Sequence, residues 1–135
     1  MKYFKKDNVY PNEAFIQEAI ERYFLNEGYK IENSAHVDLV AVTHDDKWII
    51  EAKGMTSQIT VDFNTCLGQL VRSMFTHDVK YAIAIPSEIQ YMKQCKQLSD
   101  YFRVTNNLYI LIIDQNARVQ IIQPTDHIDE AFVRN

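Results

Sequence analysis

"VDLVAVTHDDKWIIEAKG", residues 37–54, holds two β-rich runs joined by a polar turn. Successive side chains of a strand point to opposite faces, so Asp38 shares a face with Val40 and Val42. In the second run Trp48, Ile50 and Ala52 point one way, and Ile49, Glu51 and Lys53 the other. The turn HDDK makes a hairpin of the two runs. Pairing around Asp45 and Asp46 then brings Asp38, Glu51 and Lys53 to the same end. Two carboxylates on neighbouring strands can hold a hard divalent cation such as Mg2+ (or Mn2+), which prefers oxygen ligands and keeps several waters. Such a cation polarises a phosphoryl oxygen and lowers the pKa of bound water. A lysine beside it can orient that water or stabilise developing negative charge. Together these are the parts of metal-assisted phosphodiester hydrolysis. The competing reading is an acid–base pair that merely keeps a sheet edge soluble. Against it, the residues before Glu51 are apolar on both faces, which is unlike a solvated edge strand.

Outward from the hairpin, residues 12–27 read as an amphipathic helix with Ile16, Ala19, Ile20, Tyr23 and Phe24 in one stripe. Pro11 and Asn12 mark its start, and Gly28 suits the position just past its end. Residues 29–32 read as a short strand. Residues 62–76 read as a second helix and 80–85, KYAIAI, as a strand covered on both faces, ended by Pro86. Residues 87–101 read as a third helix, and 108–113 and 118–122 as two strands around an Asn116-Ala117 turn. This order predicts an α/β fold: a mixed central sheet with helices on both faces. The strand at 80–85, reached through a helix, is expected to run parallel to its neighbour.

A chain of 135 residues is of single-domain size (1–135) with one core. Hydrophobic residues at 47% and charged residues at 24% are globular proportions, and three Gly and three Pro leave no room for long linkers. No apolar run approaches the roughly 20 residues that cross a bilayer, and MKYFKKDNVYPNE lacks the apolar centre of a signal peptide. The expectation is a cytoplasmic protein with no membrane association. Cys66 and Cys95 have no second ligand at zinc spacing and read as buried free thiols. A net charge of −4 argues against nucleic-acid binding through a generally basic surface, leaves room for a local basic strip, and favours a helper protein or a dimer. With glycines only at 28, 54 and 68, no Gly-rich phosphate loop appears, which argues against an NTPase or a dinucleotide enzyme. No G-x-S-x-G elbow is present either.

The blocks "LNEGYKI", "VDLVAV" and "WIIEAKG" together resemble the PD-(D/E)XK nuclease superfamily. That resemblance implies a restriction-endonuclease-like fold with an αβββαβ core, the order reached above from patterning. It implies a metal-dependent nuclease acting on nucleic acid, with DNA the expected substrate, in which Asp38 and Glu51 bind the metal and Lys53 assists the attacking water. The carbonyl of Ala52 is implied as a further metal ligand. Residue 37 is Val where the motif has Pro. "DFNTCLGQLVRSMF" resembles the segment in which several such nucleases carry an active-site glutamine, which makes Gln69 a candidate. Many members also place a glutamate on the first helix, about ten residues before the glycine. Glu18 has that spacing from Gly28 but falls roughly opposite the apolar stripe; Glu13 lies nearer the stripe's edge but fifteen residues from the glycine. "DFNTCLGQL…YAIAIPSEIQYMKQ" is similar to the XisH branch, the element-excision controlling factors, over residues 12 to about 113. A homodimer is an expectation by analogy. A catalytically silent nuclease-fold module that binds a protein partner in an excision or restriction assembly is the alternative. RNA cleavage would use the same chemistry.

Among the remaining residues, His36 lies two before Asp38 and reads as a strand-entry histidine, and Trp48 as core. Lys80, Lys93, Lys96 and Arg103, with Arg72 nearer the site, are candidates for phosphate contacts or a solvated face.

Overall fold

The structure, a computed structural model, describes residues 8–128. Its elements run α1 (Glu13–Asn26), β1 (Lys30–Glu32), β2 (Leu39–Val42), β3 (Lys47–Ala52), α2 (Ile59–Val71), β4 (Lys80–Pro86), α3 (Ile89–Lys96), α4 (Asp100–Thr105), β5 (Leu108–Ile113) and β6 (Val119–Ile122). All six strands form one mixed sheet in the order β1-β2-β3-β4-β5-β6. The pairings β1–β2 and β2–β3 are antiparallel, β3–β4 and β4–β5 parallel, and β5–β6 antiparallel. β4 is central and covered on both faces, which is why its sequence is a continuous apolar run without alternation.

The pleat of the sheet sorts the core into two clusters. Trp48, Ile50, Ala52, Ala82, Ala84, Leu111 and Ile113 face α1 and meet its stripe of Ile16, Ala19, Ile20 and Phe24. The alanines on this face leave room for the helix to lie close. Each fully buried Ile or Phe of that stripe contributes about 1.5–3 kcal/mol relative to exposure. On the opposite face, Tyr81, Ile83, Ile85, Ile110 and Ile112 pack against Phe63, Cys66 and Leu70 of α2 and Tyr91 and Cys95 of α3. Gly28 ends α1 with φ +91°, a conformation that glycine adopts without strain. Both cysteines are free and buried.

Two helices differ from their expected bounds. α2 stops at Val71, and the chain then turns back on itself. Ser73 N–H bonds to Leu70 C=O, Met74 N–H bonds to Val71 C=O, and the Tyr81 hydroxyl donates to the Thr76 carbonyl at 2.8 Å. The expected helix over 87–101 is two helices. The break falls at Ser99, whose hydroxyl accepts the Phe102 N–H at 3.0 Å and so caps the start of α4.

Candidate functional site

The end of β3 is where three elements converge. Lys53 N–H donates to Ala84 C=O at 3.0 Å, extending the parallel pairing one residue past the strand, and the chain then turns at Gly54. There α1 begins directly against the backbone. A Cβ on residue 54 would lie 2.1 Å from the Glu13 nitrogen and 2.5 Å from the Asn12 carbonyl carbon. Met55 N–H bonds to Pro11 C=O at 2.8 Å, and the buried Tyr91 hydroxyl donates to the Gly54 carbonyl at 2.7 Å. The glycine of "EAKG" is therefore required by close approach: only a residue without a side chain lets α1 start here.

Asp38 and Glu51 meet across the hairpin. The register pairs Leu39 with Ile50 and Val40 with Ile49, so the next step sets Asp38 opposite Glu51 on the face covered by α2. Oδ2 of Asp38 accepts the Ala52 N–H at 2.8 Å, which ties its carboxylate to the end of β3. Glu51 is 2% exposed, and its Oε2 has no hydrogen-bond partner. Burial, then the Asp38 carboxylate beside it, push its carboxyl up to about 8, opposed by the Lys53 ammonium. Glu13 is also raised, chiefly by burial; Lys53 opposes that shift while Asp38 and Asp62 add to it. The Cys66 thiol on α2 is pushed up by burial and by the charge of Glu51. Glu13, Asp38, Glu51 and Lys53 thus share one electrostatic neighbourhood.

Of the two helix glutamates, Glu13 belongs to this neighbourhood. Glu18 is held elsewhere, accepting from Asn8 at 2.6 Å and lying 4.0 Å from Arg22. Sequence spacing from Gly28 favoured Glu18, but the helix start packed on Gly54 brings in Glu13. Gln69 is exposed near the end of α2 and lines a groove of about 820 Å³ together with His36, Val37, Val40, Ile49 and Arg72. The groove's lining reaches Val40 and Ile49, the same-face neighbours of Asp38 and Glu51, and does not include the carboxylates themselves. Two basic candidates are otherwise engaged. Arg103 is fully buried, donating to the Gln123 and Asp126 carbonyls and paired with Asp100 at 2.9 Å. Lys80 pairs with Asp46 at 3.3 Å and lies over the Trp48 ring. Gly54 and Tyr91 went unassigned in the sequence. A glycine directly after E-x-K hinted at the first; nothing local marks the second, which reaches the site from 37 residues away.

The donor set suits a hard cation in one respect. Two carboxylates face each other, and one buried oxygen lacks any partner, which is a costly arrangement unless something positive or protonated answers it. Among the described residues no group of three or more His, Cys, Asp or Glu side chains is arranged to hold a metal. A cation here would take two carboxylates from the protein and fill its remaining positions with backbone oxygen, water or substrate oxygens, as Mg2+ commonly does. No helix among the described residues is long and apolar enough to cross a membrane.

The class defined by these elements is a mixed α/β fold with a six-stranded mixed sheet and helices on both faces. Solved structures share it. An XisH family protein from Nostoc punctiforme is 20% identical with a TM-score of 0.57, over 80% of this chain and 98% of that one. An fdxN element excision controlling factor protein from Anabaena variabilis is 19% identical with a TM-score of 0.58, over 82% of this chain and 99% of that one. At this identity the likeness is one of fold. No protein-family model matches the chain, and no curated protein sequence does.

Proposed function

We propose that the chain is a restriction-endonuclease-like, divalent-metal-dependent nuclease of the PD-(D/E)XK type that hydrolyses phosphodiester bonds of nucleic acid, DNA in the first instance. One observation carries the reading: a buried Glu51 with an orphaned oxygen, set opposite Asp38 and beside Lys53 where a central strand ends. Asp38 and Glu51, with the Ala52 carbonyl, hold the cation, and Glu13 adds negative charge at the same place. When bound, Mg2+ supplies Lewis-acid polarisation of a phosphoryl oxygen and a water acidic enough to attack it. Asp38 is fixed by the Ala52 N–H, so one of its oxygens is oriented before any ligand arrives. Lys53 neutralises charge as it develops on the phosphate and orients the attacking water. The fold shared with an fdxN element excision controlling factor is consistent with work on DNA inside an excision assembly.

The test is calorimetric titration of Mn2+ into wild type and Asp38→Ala, followed by cleavage assays on a panel of DNA and RNA structures. Binding lost in the variant, with metal-dependent cutting by wild type, supports the nuclease. A chain that neither binds Mn2+ nor cuts, alone or with nucleic acid present, is instead a silent module of the same fold that docks on a protein partner. The absence of a third side-chain ligand among the described residues is what favours that second reading.

A further inference from the structure

The groove that Gln69 lines has no role so far. It measures about 820 Å³, far more than an ion needs and within the size of organic-ligand sites. Its floor includes Val40 and Ile49, each one same-face step along its strand from Asp38 and Glu51, roughly 7 Å. Lys47 lines it from the start of β3, and Arg72, Gln69 and Phe75 line it from the end of α2 and the turn beyond.

Two features of the lining point to a ligand. Lys47 and Arg72 have no ion-pair partner among the described residues, whereas Arg22, Lys80 and Arg103 each have one. Glu32 is the one acidic residue in the groove's lining, in a chain of net charge −4. The second feature is Phe75, an aromatic ring 89% exposed that lines the same groove as Arg72. Bases of an unpaired strand stack on such rings at little sequence preference, and a neighbouring arginine adds cation–π attraction. Duplex binding works differently: it relies on neutralising many phosphates, typically 6–10, which two lysine or arginine charges cannot do.

We propose that this groove binds an unpaired stretch of nucleic acid, with a base stacked on Phe75 and phosphates at Arg72 and Lys47, and leads it to Asp38 and Glu51. The proposal rests on the nuclease reading for the use of the strand, and stands apart from it for the binding itself. The experiment is fluorescence anisotropy of the full chain in EDTA with three labelled probes: unpaired DNA, unpaired RNA, and blunt duplex DNA. Expected is binding of an unpaired probe about tenfold or more tighter than the duplex, with the better of the two unpaired arms naming the polymer. Phe75→Ala weakens that binding about tenfold while Phe75→Trp keeps it. Arg72→Ala lowers the slope of log affinity against log salt by about one. Duplex bound as well as or better than both unpaired probes, no probe bound, or affinity unchanged in Phe75→Ala each overturns the proposal. So does a dimer, seen by sedimentation, that Phe75→Ala dissociates, since the ring would then face a second copy. Mn2+ calorimetry separates the two readings: metal bound without Phe75-dependent probe binding sinks the groove alone, and the reverse sinks the metal site alone.

Discussion

The Asp38 carboxylate and the Ala52 amide are joined at 2.8 Å across the β2–β3 hairpin. Asp38 is therefore anchored to the peptide on the C-terminal side of Glu51, the residue whose proton it most affects. The anchor is a neutral N–H, so it orients Asp38 without cancelling its charge.

Asp38→Asn separates orientation from charge. The amide oxygen keeps the Ala52 hydrogen bond, while the negative charge beside Glu51 disappears. Expected are an intact fold, a Glu51 carboxyl that titrates lower by carbon NMR, and loss of Mn2+ binding by calorimetry. Asp38→Ala also leaves the Ala52 N–H unpaired and costs on the order of 1 kcal/mol in denaturant unfolding. Wild-type Mn2+ affinity in Asp38→Asn would move the metal elsewhere.

Glu51 sets a pH dependence of stability. Its carboxyl is raised from the ordinary 4.5 to about 8, so the folded chain binds this proton more tightly than the unfolded chain. The resulting stabilisation is complete below the unfolded value and is lost as pH rises through about 8. Glu13 is shifted the same way and adds to the trend. Urea midpoints at about pH 5 and about pH 9 should show wild type weaker at the higher pH, and Glu51→Gln flatter, with Glu13's part remaining. Metal binding runs oppositely: a protonated Glu51 is a poor ligand, so Mn2+ affinity should fall on acidification.

Glu13 and Glu18 are distinguished by neutralising each in turn. Glu13→Gln removes a negative charge that helps raise Glu51's carboxyl, so it should lower that carboxyl and alter Mn2+ affinity. Among the described residues Glu18 contacts Asn8 and Arg22, away from the carboxylates, so Glu18→Gln should leave the titration isotherm unchanged. Equal effects from both would contradict the separation seen along α1.

Gly54→Ala forces a methyl into backbone that cannot yield by a rotamer change, 2.1 Å from the Glu13 nitrogen. The expected loss is about 1–3 kcal/mol or more, as for overpacked sites, with α1 displaced from the end of β3. Tyr91→Phe removes only the hydroxyl that donates to the Gly54 carbonyl and should cost about 1 kcal/mol. Thermal unfolding of the two variants side by side checks the ranking.

Arg103→Met tests whether the buried arginine is structural. It removes donors from two backbone carbonyls and a partner from Asp100, at an expected cost of about 3 kcal/mol. Mn2+ binding and oligonucleotide anisotropy should match wild type once the protein is folded. A weakened oligonucleotide affinity would show that Arg103 reaches phosphate after all.

Much of the fold was legible because hydrophobic period decides it. The hairpin, the continuous run of β4 and the stripe of α1 all follow from where apolar residues recur. Helix ends were less legible, because they depend on small polar groups: Ser99 divides α3 from α4 through one hydroxyl contact. The shared face of Asp38 and Glu51 followed from alternation, but the register did not: pairing around Asp45 and Asp46 sets Asp38 opposite Lys53, whereas the observed pairing of Val42 with Lys47 sets it opposite Glu51. The choice between Glu13 and Glu18 did not follow from alternation either, since it turns on α1 beginning at the backbone of residue 54, a long-range contact with no periodic signature. Arg103 looked like any surface cation for a similar reason. The carbonyls that bury it come from residues 123 and 126, some twenty positions on.

The sheet's spatial order is also its order along the chain, and this bears on synthesis as well as shape. Every strand adds to the edge left by the one before it, so a ribosome delivers the strands in the sequence in which they pair, and no later strand has to insert between two earlier ones. Glu13, Asp38, Glu51, Lys53, Gly54 and Cys66 all leave the ribosome before β4 does. Of the contacts described at the carboxylates' corner, those from Ala84 and Tyr91 arrive last, closing it from β4 and α3. The charged groups are thus assembled early and locked late, by a backbone carbonyl and a phenol that carry no charge of their own.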